Sequence, residues 1–174
     1  MRITLVEYHT DWPKLFKREC SLLLQALGDS VAQIEHVGST AVPGLVSKPI
    51  IDIMVGLYDF SIADDLVPEI VNLGYTYFSE FEDMMPNRRF FKKLIDGTAT
   101  HHIHIAEIDN EFWKRHLLFR NYLRDHPKIA KEYASLKKEL ASRDWKDSND
   151  FAEAKTEFIK KVEMEAMESK ELGL

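Results

Sequence analysis

Residues 34–55 read IEHVGSTAVPGLVSKPIIDIMV, and the order of signals within them decides the fold. Residues 31–37 have the character of a strand that runs into a turn at Gly38. Residues 41–47, with Pro43 and Gly44, form a loop. Residues 49–55 form a second strand, too apolar to be half exposed and therefore central in a sheet. Strand alternation puts Ile50, Asp52 and Met54 on one face and Ile51, Ile53 and Val55 on the other. A carboxylate inside a buried strand is costly unless it is paired or bound to metal, so Asp52 marks a candidate site. The alternative is an aspartate paired with Lys48 or an arginine, or one at an exposed strand end.

The turn itself has phosphate-binding chemistry. Gly38 lets backbone approach a ligand closely, and the amides and hydroxyls of Ser39 and Thr40 can cradle phosphate. A Gly-Ser-Thr tripeptide alone is only a turn; its weight comes from Asp52 on the next strand. Lys48 precedes that strand and can neutralise phosphate oxygens. Arg88 and Arg89 can do so bidentately, with alternation sending one to the site and the other away. In the segment THHIHIAE, His102 and His104 share one strand face. If this strand lies beside 49–55, both imidazoles can join Asp52 around a metal ion, serve as a general base, or donate to phosphate. The competing reading is a pair of polar-face histidines. One carboxylate with two imidazoles suits Mn²⁺, Fe²⁺ or Zn²⁺ better than Mg²⁺. Of Glu35 and His36, His36 is expected at the pocket rim.

Further along, residues 12–26 have helical periodicity that ends at Gly28. Residues 60–73 read as a helix that Pro68 kinks or restarts. Residues 75–79, 88–95 and 100–107 read as strands, with a hairpin turn at IDGT (95–98). Residues 80–87 form a mobile loop that can act as a lid. Helices follow over 111–125, 127–143 and 149–170, the second with a stripe of Ile129, Tyr133, Leu136, Lys137 and Leu140 and the third with Phe151, Ala154, Phe158 and Val162. The chain has 174 residues, one cysteine (Cys20) and a net charge of −6. Such a balance argues against a general nucleic-acid coat but allows a small anion in a local basic pocket. The single cysteine suits a reducing compartment. No run approaches the roughly 18 apolar residues of a membrane span. The expectation is a cytoplasmic protein.

EHVGSTAVPGL and KPIIDIMVG, supported by YHTDWPKLF, NRRFF, HHIHI, FRNYLRDHP and YASLKKELA, give the chain a close resemblance to the GrpB-like family of the nucleotidyltransferase superfamily. The resemblance implies an α/β (α+β) fold: a nucleotidyltransferase-like mixed sheet over 1–109 with flanking helices, and a helical part over 110–174 packed on it as one compact domain. It implies a site built from Ser39, Lys48, Asp52 and the histidine strand. Superfamily members of this kind place two carboxylates on one strand and a third on a neighbour. Here the second position is Met54, a poor ligand for Mg²⁺. Histidines and a loop acid (Glu80, Glu82 or Asp83) can substitute. The expected function is metal-dependent transfer of a nucleotidyl or phosphoryl group to a small acceptor, with Mg²⁺ or Mn²⁺ and, as a further possibility, Zn²⁺. The alternatives are a non-catalytic nucleotide- or metabolite-binding module and a single-metal hydrolase using Asp52, His102 and His104.

Overall fold

The computed structural model describes residues 1–173. Helix α1 (Trp12–Leu27) carries Pro13 in its first turn, where the missing N–H costs nothing, and stops at Gly28. Strand β1 (Val31–Val37) runs into Gly38 and a short 3-10 turn over Ser39–Ala41. Strand β2 (Ile51–Leu57) begins two residues later than the apolar pattern suggests, because Pro49 has no N–H for a ladder. Residues Phe60–Leu66 are a 3-10 segment, and α2 (Val67–Asn72) restarts with Pro68 in its first turn. Strands β3 (Tyr75–Tyr77), β4 (Arg89–Ile95) and β5 (Thr98–Glu107) follow, with Asp96 and Gly97 at positive φ in the β4–β5 turn. The chain then becomes helical: α3 (Glu111–Asp125), α4 (Pro127–Ala141), α5 (Ser148–Glu153) and α6 (Thr156–Glu171). The expected single helix over 149–170 is two helices with a break at Ala154 and Lys155, and Ala154 is exposed rather than on the apolar stripe.

The five strands form one mixed sheet in the order β1-β2-β5-β4-β3. Among the described residues only β2 and β5 run parallel; their register pairs Asp52 with His102 and Met54 with His104. One sheet face carries Ile51, Ile53, Val55, Phe91, Ile103 and Ile105, all nearly sealed from solvent against α1 and α2. On that face Glu19 of α1 accepts from Tyr75 (2.8 Å) and Lys93 (2.8 Å), so its charge is paired. Cys20 is half-buried, and burial pushes its thiol up, as befits a packed residue.

The other face receives α3, with Trp113 packed on Met54 and Val37. Beyond it, α3, α4 and α6 share a second core of Leu123, Tyr133 and Val162 that also covers Val42 and Leu45 of the loop before β2. Gly56 sets how closely α3 approaches the sheet. A Cβ there would lie 2.8 Å from Ile108 Cδ1 and 2.9 Å from the Trp113 ring. Gly56→Ala therefore forces an overpacked contact and is expected to lower unfolding stability by about 1–3 kcal/mol, read by urea denaturation with an unchanged m-value.

Candidate functional site

The site forms where the Gly38 turn meets the start of β2. Gly38 has φ of 75°, which favours glycine, and a Cβ there would stand 2.6 Å from Asp52 Oδ2. The turn can press against the Asp52 carboxylate only because that position has no side chain. Across the parallel ladder, His102 Nδ1 lies 3.2 Å and His104 Nε2 3.7 Å from Asp52 Oδ1. Burial would raise the Asp52 carboxyl, but hydrogen bonds and charge from the two imidazoles outweigh it and hold Asp52 well below the usual carboxylate range. For His104 burial wins over the nearby carboxylate, and its imidazole is pushed down.

Among the described residues, Asp52, His102 and His104 are the group whose ligand atoms come close enough to share an ion, all within 4.8 Å of one another. Bonds of about 2.0–2.2 Å to a transition metal leave neighbouring ligand atoms roughly 3–4 Å apart, and the 3.2 and 3.7 Å separations from Asp52 Oδ1 suit one ion. The set does not fit a pair of ions. Met54 is fully buried against Trp113, so α3 covers the position where a second carboxylate would stand. The loop acids do not replace it. Glu82 accepts from Tyr77 and lies 3.4 Å from Arg89, while Glu80 and Asp83 are exposed and outside the cluster.

Three expected contributors lie elsewhere. His36 is not at the rim: it is on the opposite sheet face, stacked 5.0 Å from the Phe16 ring. It is buried, which pushes it down to about 4 and keeps it neutral. Glu35 is the one that shares a face with Asp52, but Arg120 of α3 holds it. Thr40 does not face the cleft, because its hydroxyl donates to the Ile50 carbonyl (3.1 Å) and accepts from His36 Nε2 (2.9 Å). Arg89 points away and pairs with Asp64 at 2.7 Å. Arg88 is the arginine that reaches the site, with Nη1 3.3 Å from His104 Nδ1.

Several contributors come from the helical half. Lys137 of α4 is 2% exposed and donates to Ser39 Oγ at 2.8 Å and to the Val46 carbonyl. Burial, with the charge of Lys155 beside it, lowers Lys137 to about 7. Lys155 sits in the break between α5 and α6, 4.6 Å over the Phe151 ring, and burial lowers it to about 8. Lys48 is half-buried near the same ring, and burial lowers it despite the pull of Asp52. His116 of α3 donates from Nδ1 to the Phe112 carbonyl (2.8 Å), which leaves Nε2 an acceptor; burial lowers it to about 4. A cleft of about 320 Å³ opens here, lined by Gly38, Ser39, Asp52, His104, His116 and Tyr133, among others. The sequence signal for Lys137 was its place in the apolar stripe of α4. No comparable signal marked Lys155 or His116.

Comparison with known proteins matches residues 2–165 to the family model described as "GrpB protein". The UPF0157 protein YqkA of Bacillus subtilis is 36% identical over 95% of this chain, which spans 47% of that relative. The crystal structure of the conserved protein GrpB from Enterococcus faecalis has a TM-score of 0.86 at 39% identity, covering 96% of this chain and 99% of the other. The Cid1 poly(U) polymerase, solved with Mg and 3'-dATP bound, shares the fold at a TM-score of 0.54 and 14% identity, over 78% of this chain and 43% of its own.

The buried lysine makes a pH signature. An unfolded lysine binds its proton up to about 10.4, whereas folded Lys137 releases it near 7. Between these values the unfolded chain holds the extra proton, so Lys137 makes stability rise with pH across that window, by up to about 1.4 kcal/mol per pH unit. Urea denaturation at pH 7 to 10 is expected to show this rise, and Lys137→Met is expected to flatten it. Parallel curves for the two proteins would contradict a neutral, buried Lys137.

Proposed function

Because the chain belongs to the GrpB family, we propose that it binds a nucleotide with one divalent ion and passes its nucleotidyl or phosphoryl group to a small acceptor. The observation that carries this reading is that Asp52 and His104 of the Asp52–His102–His104 cluster line one cleft with Gly38 and Ser39, and that Lys137 backs Ser39 from behind. Support also comes from the fold shared with Cid1, whose site is described with Mg and 3'-dATP. The imidazoles favour Mn²⁺, Fe²⁺ or Zn²⁺ over Mg²⁺ at this position.

Asp52, His102 and His104 would hold the ion, which supplies a positive charge that polarises phosphoryl oxygens. The remaining work falls to the chain. Phosphoryl transfer depends mainly on positioning and on balancing charge. Ser39 Oγ accepts from Lys137 and stands beside the Tyr133 hydroxyl, and it would turn its own O–H to a phosphate oxygen. Lys137, Lys155 and Lys48 balance the phosphates, a local positive patch in a chain of net charge −6. His116 lines the cleft with Nε2 left as an acceptor, and would orient a hydroxyl of the second substrate.

One observation favours a second reading, a binding module without transfer: the buried Met54 in place of a second carboxylate. Thermal stability measured against nucleoside triphosphates and nucleotide sugars, each with Mg²⁺, Mn²⁺ or Zn²⁺, separates the two. A ligand at 100 times its Kd stabilises by ~2.7 kcal/mol. The expected result is a nucleotide shift that needs Mn²⁺ or Zn²⁺ and disappears in Asp52→Asn. A shift that needs no metal and survives Asp52→Asn marks the binding module. No shift with any nucleotide sinks both.

A further inference from the structure

We propose that Arg88 forms a second anion site, separate from the lysine cradle, and that binding of metal at His104 prepares it. Its occupant is the carboxylate or phosphate of the acceptor molecule, an identification that rests on the transfer reading above.

Among the described residues, Arg88 has no counter-charge. A guanidinium stays charged at any working pH and offers five donors in a fixed fork. Arg120 and Arg89 satisfy theirs with Glu35 and Asp64. Arg88 has no such partner among the described residues. Its Nε is sealed from solvent and makes no hydrogen bond. Its plane lies between aromatic rings, 5.0 Å from the centre of Phe90 and 5.7 Å from that of Phe112. Burial depresses it and no carboxylate counters that effect.

Beside Arg88 is a cleft of about 510 Å³ between residues 84–88 and the start of α3, lined by Met84, Met85, Asn87, Asn110 and Phe112. The one acid on its lining, Glu111, is 85% exposed and leans toward Lys114 at 3.6 Å. The cleft therefore offers a small molecule two amide side chains, an aromatic wall and an unpaired guanidinium.

Its position assigns it to the acceptor. The two nitrogens of an imidazole point apart. His104 directs Nε2 toward Asp52 and Nδ1 toward Arg88. Arg88 thus lies across the ring from Asp52, whereas Ser39 and Lys137 stand on the Asp52 side. We therefore assign an anion on Arg88 to a molecule other than the one in that cradle.

The same ring couples the two sites. A neutral imidazole has one N–H. As Arg88 donates to Nδ1, the proton of His104 is on Nε2. When Nε2 gives its lone pair to an ion, the proton moves to Nδ1, and that N–H then faces the donors of Arg88. Two donors turned toward each other repel, so the Arg88 fork would move off Nδ1, and an oxyanion entering the gap would accept from both. Metal should therefore tighten the anion, and by reciprocity the anion should tighten the metal.

The test follows arginine Nε–H resonances by ¹⁵N NMR while sulfate or acetate is added, with and without Zn²⁺. One resonance, missing in Arg88→Met, is expected to shift saturably, with Kd lowered at least about tenfold by Zn²⁺. Lys137→Met should keep this response. Arg88→Lys, which keeps charge but loses the fork, should bind more weakly in a folded protein. Sulfate bound more tightly than acetate points to a phosphate-bearing acceptor, and the reverse to a carboxylic acid. No saturable shift, or a Kd indifferent to Zn²⁺, overturns the proposal. If the protein binds nucleotide but no anion at Arg88, only this inference falls. If it binds the anion but no nucleotide, the nucleotide reading falls and the Arg88 site stands.

Discussion

The parallel pairing of β2 with β5 is the constraint on which the site depends. It sets Asp52 beside His102 and Met54 beside His104, joining residues about fifty positions apart in sequence. A slip of one residue in either strand would bring His101 and Ile103 to the face of Asp52 and bury the functional imidazoles. The slip is prevented from behind. Ile51, Ile53, Val55, Ile103 and Ile105 are all nearly inaccessible on the opposite face, and each would be driven out of that core. The packing of one face thus sets the chemistry of the other.

That chemistry is a balance of charges removed from water. Asp52 takes up the imidazoles, and Gly38 brings a turn so near that its hydroxyl-bearing neighbour joins the same wall. Lys137, Lys155 and Lys48 stand nearby with no carboxylate in hydrogen-bond contact among the described residues, each depressed by burial. The enclosure is made by two halves of the chain: the sheet supplies the carboxylate and imidazoles, and the helices supply most of the cations. Met54 fits the same logic. Its site partner is not an ion but Trp113, which uses that patch of sheet to anchor α3.

Alternation alone made much of this readable. The shared face of Asp52 and Met54, the shared face of His102 and His104, and the turn at Gly38 follow from a period of two and from glycine. The position of α1, the restart at Pro68 and the β4–β5 turn follow equally local rules. What alternation does not give is parity across the turn: the sequence favours His36 at the rim, whereas Glu35 shares the face. Nor could it say which of Arg88 and Arg89 points inward. Lysines on helices are normally solvated, so Lys137 and Lys155 became visible only when α4 and the α5–α6 break were docked against the sheet. Phe151 of α5 packs with Ile3 and Leu140, a tertiary contact that spacing along the chain does not show.

The lysine cradle also makes the proton a partner in binding. Lys137 near 7 and Lys155 near 8 are only partly charged at neutral pH, because burial and mutual repulsion oppose it. A polyanion entering the cleft would reverse that opposition and recharge them. Any phosphate-bearing ligand would then arrive together with protons drawn from solvent, and the measured heat of binding would depend on the buffer that gives them up. In alkaline solution the same ligand would have to do that work against a lower proton supply, and its hold on the cleft would weaken.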